Sequence, residues 1–434
     1  MTYLESLDYL YRLGHETLAM KFGLRNTEVL LADCDNPQKS FLKIQIAGTN
    51  GKGSTAAFLA AICRAANLTT GLYTSPHLIA ITERIRINDR EISAADFARL
   101  TTQVRTRAEG LVAAKQLAAL PTFFEHLTAI ALLAFREAQV DVAVLETGLG
   151  GRLDATTAAA AEIAGITSIS FDHQEYLGNT LSLIAAEKAA IIRSGMPVVV
   201  APQRPDAMHA ILQRCEKVSV QPEIVDAECQ IQETTKDNRY IVNLKTRRSV
   251  LPNVCLSLRG VHQFENAALA VVLAENLSFF NFEIAPAAIV QGLETAQHAG
   301  RLEFWTQTRP GILFDGAHNA AGAQTLRNFL KEFVAQPLTI IFGVMRDKDL
   351  SEIAQILFPL AQNLILTKVN NERSASLEQL RKLVSLNLPA TIFEAATVAE
   401  ALQIARAITP PESVICVTGS LYLIGEAQIL PRAS

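Results

Sequence analysis

The residues of this 434-residue chain whose types and spacing could do chemistry begin with a lysine set among glycines. Lys43 to Thr55 reads "KIQIAGTNGKGST", a short apolar run, a glycine-laced turn and then helix formers. In such a turn consecutive backbone N–H groups face an anion, the helix opening at Lys52 adds its positive end, and the ammonium supplies a point charge. Gly48, Thr49, Asn50, Gly51, Lys52, Gly53 and Ser54 are therefore predicted to hold a nucleotide triphosphate. The strict Walker pattern is not met, because Ile46 stands at the first glycine position and Gly53 where a magnesium-binding hydroxyl usually follows the lysine. Ser54, Thr55 or a more distant residue must serve instead. Ser75, in "GLYTSPHL", is one candidate, since Pro76 fixes an extended turn just past a short strand; Ser-Pro is equally a plain turn signal.

Three further groups stand out. "DVAVLETGLGGRLDAT" reads as a buried strand that delivers Glu146 to its C-terminal end, where ligands of open α/β sheets gather and a hard cation such as Mg²⁺ finds carboxylate oxygen. The alternative is a strand-end acid that is solvated or pairs with Arg152. "IAGITSIS" hands over Phe171, Asp172 and His173 in the same way, and a histidine so placed serves either structure or a metal. Lys188 lies in the alanine- and isoleucine-rich "LSLIAAEKAAIIR"; buried, its amine would be neutral enough to react with carbon dioxide, and unburied it is a snorkelling surface lysine.

The elements that must position these groups follow from periodicity. From about residue 42, strand-length apolar runs alternate with helix-period segments, which implies right-handed βαβ crossovers and a mainly parallel sheet. Cys229 to Leu258 differs, its short polar-alternating runs suggesting an antiparallel hairpin insert. Near His298 the pattern restarts with "GILFDGA", "LTIIFG", "NLILTKV", "TIFEAA" and "SVICVTG", with a helix pattern between each run and the next. The fold class is thus α/β. An N-terminal P-loop ATPase-like domain over 1–297 and a smaller C-terminal Rossmann-like domain over 298–434 are expected.

Composition excludes several classes. Apolar residues make up 49%, and 39 basic residues face 43 acidic ones without a run of like charge, so no nucleic-acid or membrane-surface partner is indicated. The N-terminal "MTYLESLDYLYRLG" lacks an apolar signal core, and a cytoplasmic location is expected. Six scattered cysteines without paired CxxC spacing read as free thiols.

Taken in order, "MKFGLRNTEVLL", "AGTNGKGST", "YTSPHL", "ETGLGGRLDAT", "DHQEYLGNT", "EKAAIIR", "GVHQFENAALA", "GRLE", "FDGAHN" and "VTGSLYLIGE" resemble folylpolyglutamate synthase and dihydrofolate synthase, the folate branch of the Mur ligase superfamily. The resemblance implies an ATP-dependent amide ligase with ATP and Mg²⁺, which joins L-glutamate to a folate or to dihydropteroate through an acyl phosphate. It implies that Lys52, Lys188 and His318 are catalytic, that Asn266, Arg301 and Asp315 contact nucleotide, and that Ser75 and Glu146 hold one magnesium. His173 and a carbamylated Lys188 would hold a second. Thr122, Phe123, Phe124, Glu125, Leu153, Asp154 and Ala155 would form the pterin pocket, with His318 and Ser420 around glutamate. Thr157, Ala190 and Ala320 depart from the usual pattern, and Thr157 is expected to alter pterin contacts. A monomer acting on small molecules follows. The alternatives are a cell-wall Mur-type ligase, which calls for a further domain before the loop, and a nucleotide-binding protein without turnover.

Overall fold

The computed structural model describes residues 1–14, 23–334, 337–384, 388 and 390–430; Met20, Lys21 and Phe22 of the first family-like motif lie outside them. Eight strands form the first sheet: β1 (Leu42–Ala47), β2 (Thr70–Tyr73), β3 (Ile85–Ile87), β4 (Arg90–Glu91), β5 (Val142–Glu146), β6 (Ile163–Ile166), β7 (Val198–Val200) and β8 (Glu223–Ile224). Their order is β4-β3-β2-β5-β1-β6-β7-β8. All neighbours pair in parallel except β2 with β3 and β3 with β4. That antiparallel edge was not expected from the apolar runs. Its strands are two or three residues long, and the turn places Asn88 and Asp89 at positive φ, the conformation a tight hairpin requires.

The central strands are apolar because both faces are covered. Helices Lys52–Ala65, Gln263–Glu275 and Pro286–Thr295 bury one face, and Ala94–Ala113 with Phe123–Glu137 bury the other. The insert is larger than the expected hairpin. β9 (Glu228–Thr234), β10 (Tyr240–Lys245) and β11 (Val250–Cys255) form a three-stranded antiparallel sheet, which buries Tyr240, Val242, Leu244, Leu251 and Val254 in the same core as the first of those helix groups.

A second sheet holds β12 (Glu303–Trp305), β13 (Gly311–Asp315), β14 (Leu338–Phe342), β15 (Asn363–Thr367), β16 (Thr391–Ala395) and β17 (Val414–Thr418), in the order β12-β13-β17-β14-β15-β16. Only β12 runs antiparallel, at the edge. Register decides what meets at the strand ends. In the first sheet Ile46 lies beside Glu146 and Ala47 beside Ile166, so the loop after β1 emerges between the ends of β5 and β6. In the second, Asp315, Thr418 and Phe342 are level, so the loops after β13, β17 and β14 share one end. Both are switch points of doubly wound sheets, where concave sites form.

Candidate active site

β1 releases the chain into a turn that ends on Gly51 at φ +87°, immediately before the helix Lys52–Ala65. A side chain at Gly51 would come within 2.2 Å of Asn266 Oδ1, so the loop is pressed against the helix Gln263–Glu275. At Gly53 a Cβ would lie 2.5 Å from the ring of His298. The Ser54 hydroxyl is buried and turned toward His298 Nδ1 at 3.2 Å and the Gln263 amide at 3.3 Å. The backbone N–H of Ser75 donates to Glu146 Oε2 at 3.1 Å.

Two ammonium groups converge on one carbonyl. Lys52 Nζ donates to Gly48 O at 3.2 Å and Thr49 O at 3.1 Å, while Lys188 Nζ donates to Gly48 O at 2.7 Å. Burial pulls the Lys52 pKa down, partly offset by Glu146. Burial, reinforced by the Lys52 charge, lowers Lys188 to about 7. Lys188 is 5% exposed and thus takes the buried reading, not the snorkelling one. Two cations this close are stable only because each lies near carbonyl oxygens and acids, and an anion placed between them would be strongly attracted.

Glu146 is 5% exposed, and burial raises its carboxyl while Lys52 pulls it down. It faces a cleft of about 50 Å³ that is also lined by Gly53, Ser75 and Arg301. Among the described residues no three His, Cys, Asp or Glu side chains gather to hold an ion on their own. One carboxylate beside a serine and a phosphate loop fits Mg²⁺, which keeps its waters and leans on substrate phosphate. The second expected ion fits less well. His173 Nε2 stands 3.3 Å from Lys348 Nζ, and the unmodified Lys188 amine brings no negative charge, so these side chains as they stand do not form a cation site.

Beyond the loop a cavity of about 270 Å³ lies between the two sheets' loops. Thr122, Phe124, Glu125, Leu153, Asp154 and Ala155 line it from the first lobe, and His318, Ser420, Met345, Lys348 and Arg373 from the second. Thr122 caps the helix Phe123–Glu137, and Glu125 closes that capping box while also accepting from the Thr27 hydroxyl at 3.1 Å. Asp154 accepts the N–H groups of Gly148, Leu149 and Thr156, which shapes the glycine loop.

Several expected residues stand apart from the cavity. Phe123 is 3% exposed with its ring stacked on Tyr11, away from the wall that Phe124 forms. Thr157 receives the Gln45 amide at 2.8 Å and donates to Gly151 O at 2.7 Å, so it braces the glycine loop from beneath and makes no part of the cavity wall. Asp315 accepts the N–H groups of Leu302 and Ala317, both at 3.0 Å, and so fastens the turn that carries Arg301. Asn266 donates to Gln263 Oε1 at 2.9 Å, with its own oxygen beside Gly51. Ser420, by contrast, lies on the cavity wall and caps the helix Leu421–Ile429 through the Tyr422 N–H.

Asp172 is the group that sequence reasoning undervalued. It lies at the lobe boundary, where it accepts from Lys348 Nζ at 2.7 Å and Asn319 Nδ2 at 3.1 Å, with His318 Nε2 at 3.5 Å. Burial alone would raise its carboxyl, but His318 and Lys348 hold it well below the usual carboxylate range. Lys348 and Arg373 also went unnoticed. "RDKDL", which follows the strand-like "LTIIFG" after Val344 and Met345, is the signal that could have found Lys348, since it marks a charged loop at the carboxyl end of a parallel strand.

Comparison with known proteins gives the family. Residues 46–274 match the Mur ligase middle domain and residues 300–421 the Mur ligase glutamate ligase domain. The dihydrofolate synthase/folylpolyglutamate synthase of Bacillus subtilis is 32% identical over 95% of this chain and 96% of its own length. The folylpolyglutamate synthase of Lacticaseibacillus casei is 32% identical over 98% and 97%. Among solved structures, Mycobacterium tuberculosis folylpolyglutamate synthase complexed with ADP superposes with a TM-score of 0.89 at 30% identity, covering 98% of this chain and 97% of that one. E. coli FolC in complex with DHPP and ADP gives 0.86 at 27% identity, covering 99% and 97%. The chain therefore belongs to the folylpolyglutamate synthase/dihydrofolate synthase family of ATP-dependent Mur ligases.

Proposed function

We propose that this chain joins L-glutamate to the carboxylate of a folate, of dihydropteroate, or of both, using ATP. The observation that carries this reading is the convergence of Lys52 and Lys188 on Gly48, with buried Glu146 influencing Lys52, in a chain that also holds a cavity walled by both lobes. The loop backbone from Gly48 to Ser54, the positive end of its helix and Lys52 seat the triphosphate. A carboxylate oxygen of the pterin acid attacks the γ-phosphorus, ADP departs, and an acyl phosphate remains. The amine nitrogen of glutamate then attacks the acyl carbon; phosphate leaves, the amine gives up a proton, and the amide is formed. No protein nucleophile takes part, so the residues act by placing reactants and cancelling like charge.

Lys52 and Arg301 oppose the charge that would otherwise keep the carboxylate away from ATP. Mg²⁺, when held by Glu146, Ser75 and the phosphates, adds further charge neutralisation. Phe124, Leu153 and Ala155 give the pterin acid an apolar wall, while His318 and Ser420 receive glutamate, with Lys348 and Arg373 supplying positive charge nearby. A neutral Lys188 amine can add carbon dioxide and release a proton. The resulting carbamate would carry a negative charge in place of the neutral amine. The junction between the lobes is placed at 297/298, ahead of β12. A monomer acting on these small molecules is part of the proposal. No helix among the described residues is long and apolar enough to cross a membrane, and free cysteines support a reducing, cytoplasmic setting.

ADP release with glutamate, offering dihydropteroate and a reduced folate monoglutamate in separate reactions, decides among the three possibilities. Mass spectrometry of the product should show one added glutamyl residue. If neither acid gives an amide, the proposal fails.

A further inference from the structure

Asn319 has no role in the site assigned above, yet its side chain joins three parts of it. It is 6% exposed and stands directly before the helix Ala320–Phe333. Its Oδ1 accepts the Gly322 N–H at 2.8 Å, which caps that helix. Both hydrogens of Nδ2 cross to the other lobe. One goes to Asn50 Oδ1 in the phosphate loop and one to Asp172 Oδ2, each at 3.1 Å. Asn50 in turn donates to Ser170 Oγ at 3.0 Å. An amide offers two donors and an acceptor in one plane, and all three are used here.

We propose that Asn319 is a positioning residue that couples the phosphate loop to the glutamate side of the cavity. The coupling deepens the ligase reading above and rests on it. Because the cap fixes Oδ1, the amide cannot turn to follow Asn50 or Asp172 without disturbing the first turn of its own helix. His318, the neighbouring residue, is held to Gly316 O at 2.7 Å and faces the same Asp172 carboxylate. Any displacement of Asn50 on nucleotide binding is therefore transmitted to the start of that helix and to His318. In the other direction, Asn319 holds Asn50 in place before nucleotide arrives, so less ordering remains to be done on binding. The sequence contains the residue in "FDGAHN", but nothing in the spacing brings residue 319 to residue 50.

The test uses the full chain and a non-hydrolysable ATP analogue with Mg²⁺, followed by calorimetry. Asn319→Ser keeps a favoured helix cap and removes both donors. Its affinity for the analogue should fall about tenfold, the size expected from losing one or two net hydrogen bonds. The thermal midpoint of the ligand-free protein should stay within about 3 °C of the parent. Asn319→Asp keeps the cap but sets a carboxylate against Asp172, and should lose more affinity than the serine variant. In an Asn50→Ala background the additional effect of Asn319→Ser should vanish, which a purely structural role would not produce. The proposal is overturned by an Asn319→Ser affinity within about twofold of the parent. It is overturned equally if the effect persists undiminished in the Asn50→Ala background, or if affinity is lost only in step with the thermal midpoint. A parent chain that binds the analogue but forms no amide would sink the ligase reading alone; one that binds no analogue would sink both.

Discussion

At the residue scale the site is defined by which charges burial leaves uncompensated. Lys52 and Lys188 share the Gly48 carbonyl, and burial with mutual repulsion brings Lys188 to about 7. Replacing Lys188 by alanine removes one of the two cations, and Lys52 still donates to the Gly48 carbonyl, so no buried polar group is orphaned. Lys188→Ala should accordingly fold with an unchanged midpoint while ATP turnover falls by about a hundredfold or more, the scale of losing a charge-stabilising group. A coupled ADP assay beside a thermal melt checks this. Full activity in the alanine protein would show that the lysine plays no part in turnover. Gly53 carries a related lesson: the residue that breaks the usual motif is small because His298 packs against it and holds Ser54, so the departure is a packing requirement of this loop.

At the element scale, the helix Phe123–Glu137 holds one wall of the cavity, and its first turn is tied by Thr122 and Glu125. Thr122→Ala should cost about 1 kcal/mol of stability, the usual value of an N-cap. Because Phe124 sits in that turn, KM for the pterin acid should rise several-fold with kcat little changed, whereas Thr122→Ser should restore both. The same helix buries His126 between the Tyr9 hydroxyl at 3.0 Å and the Thr122 carbonyl at 3.1 Å, and burial lowers its pKa to about 4. The unfolded chain therefore binds this proton at higher pH than the folded one does. Stability attributable to the neutral imidazole is complete above the unfolded value of about 6.5, and is lost as pH falls toward 4 at about 1.4 kcal/mol per unit. The stability difference between the parent and His126→Gln, measured by urea unfolding, should shrink over that window. A constant difference would show that the imidazole is not held neutral.

For the whole molecule, the cavity exists only where the lobes meet. Lys348 and Asn319 reach Asp172 from the second lobe, and Arg301 lies close enough to Lys52 to influence it. Apolar contacts accompany these polar ones, with Tyr240 edge-on against Phe333 and Leu78 packed on the core of the second lobe, and closure of the lobes would keep water from an acyl phosphate. Small-angle scattering should record a smaller radius of gyration when an ATP analogue and a pterin acid are added together. Identical curves with and without ligands would rule out closure as a step of the cycle.

Much of this was legible in the residues alone. The alternation of short apolar runs with helix-period segments determined two α/β units, because parallel strands buried on both faces cannot be written any other way. The loop around Lys52 and the strand-end position of Glu146 were readable for the same reason, since a strand's last residue must face the switch point, whereas β6 ends at Ile166 and His173 stands in the loop beyond it, before the helix Gln174–Leu177. Short polar strands were not: β3, β4 and β12 carry too few apolar residues to show a period. What only the tertiary structure decided is every pairing across long sequence separations. Lys188 meeting Gly48, Ser75 meeting Glu146, and Asn319 meeting both Asn50 and Asp172 depend on strand order and on how one lobe sits against the other. Sequence spacing carries no information about either, because hydrogen bonds and charges act through space while periodicity describes only neighbours along the chain.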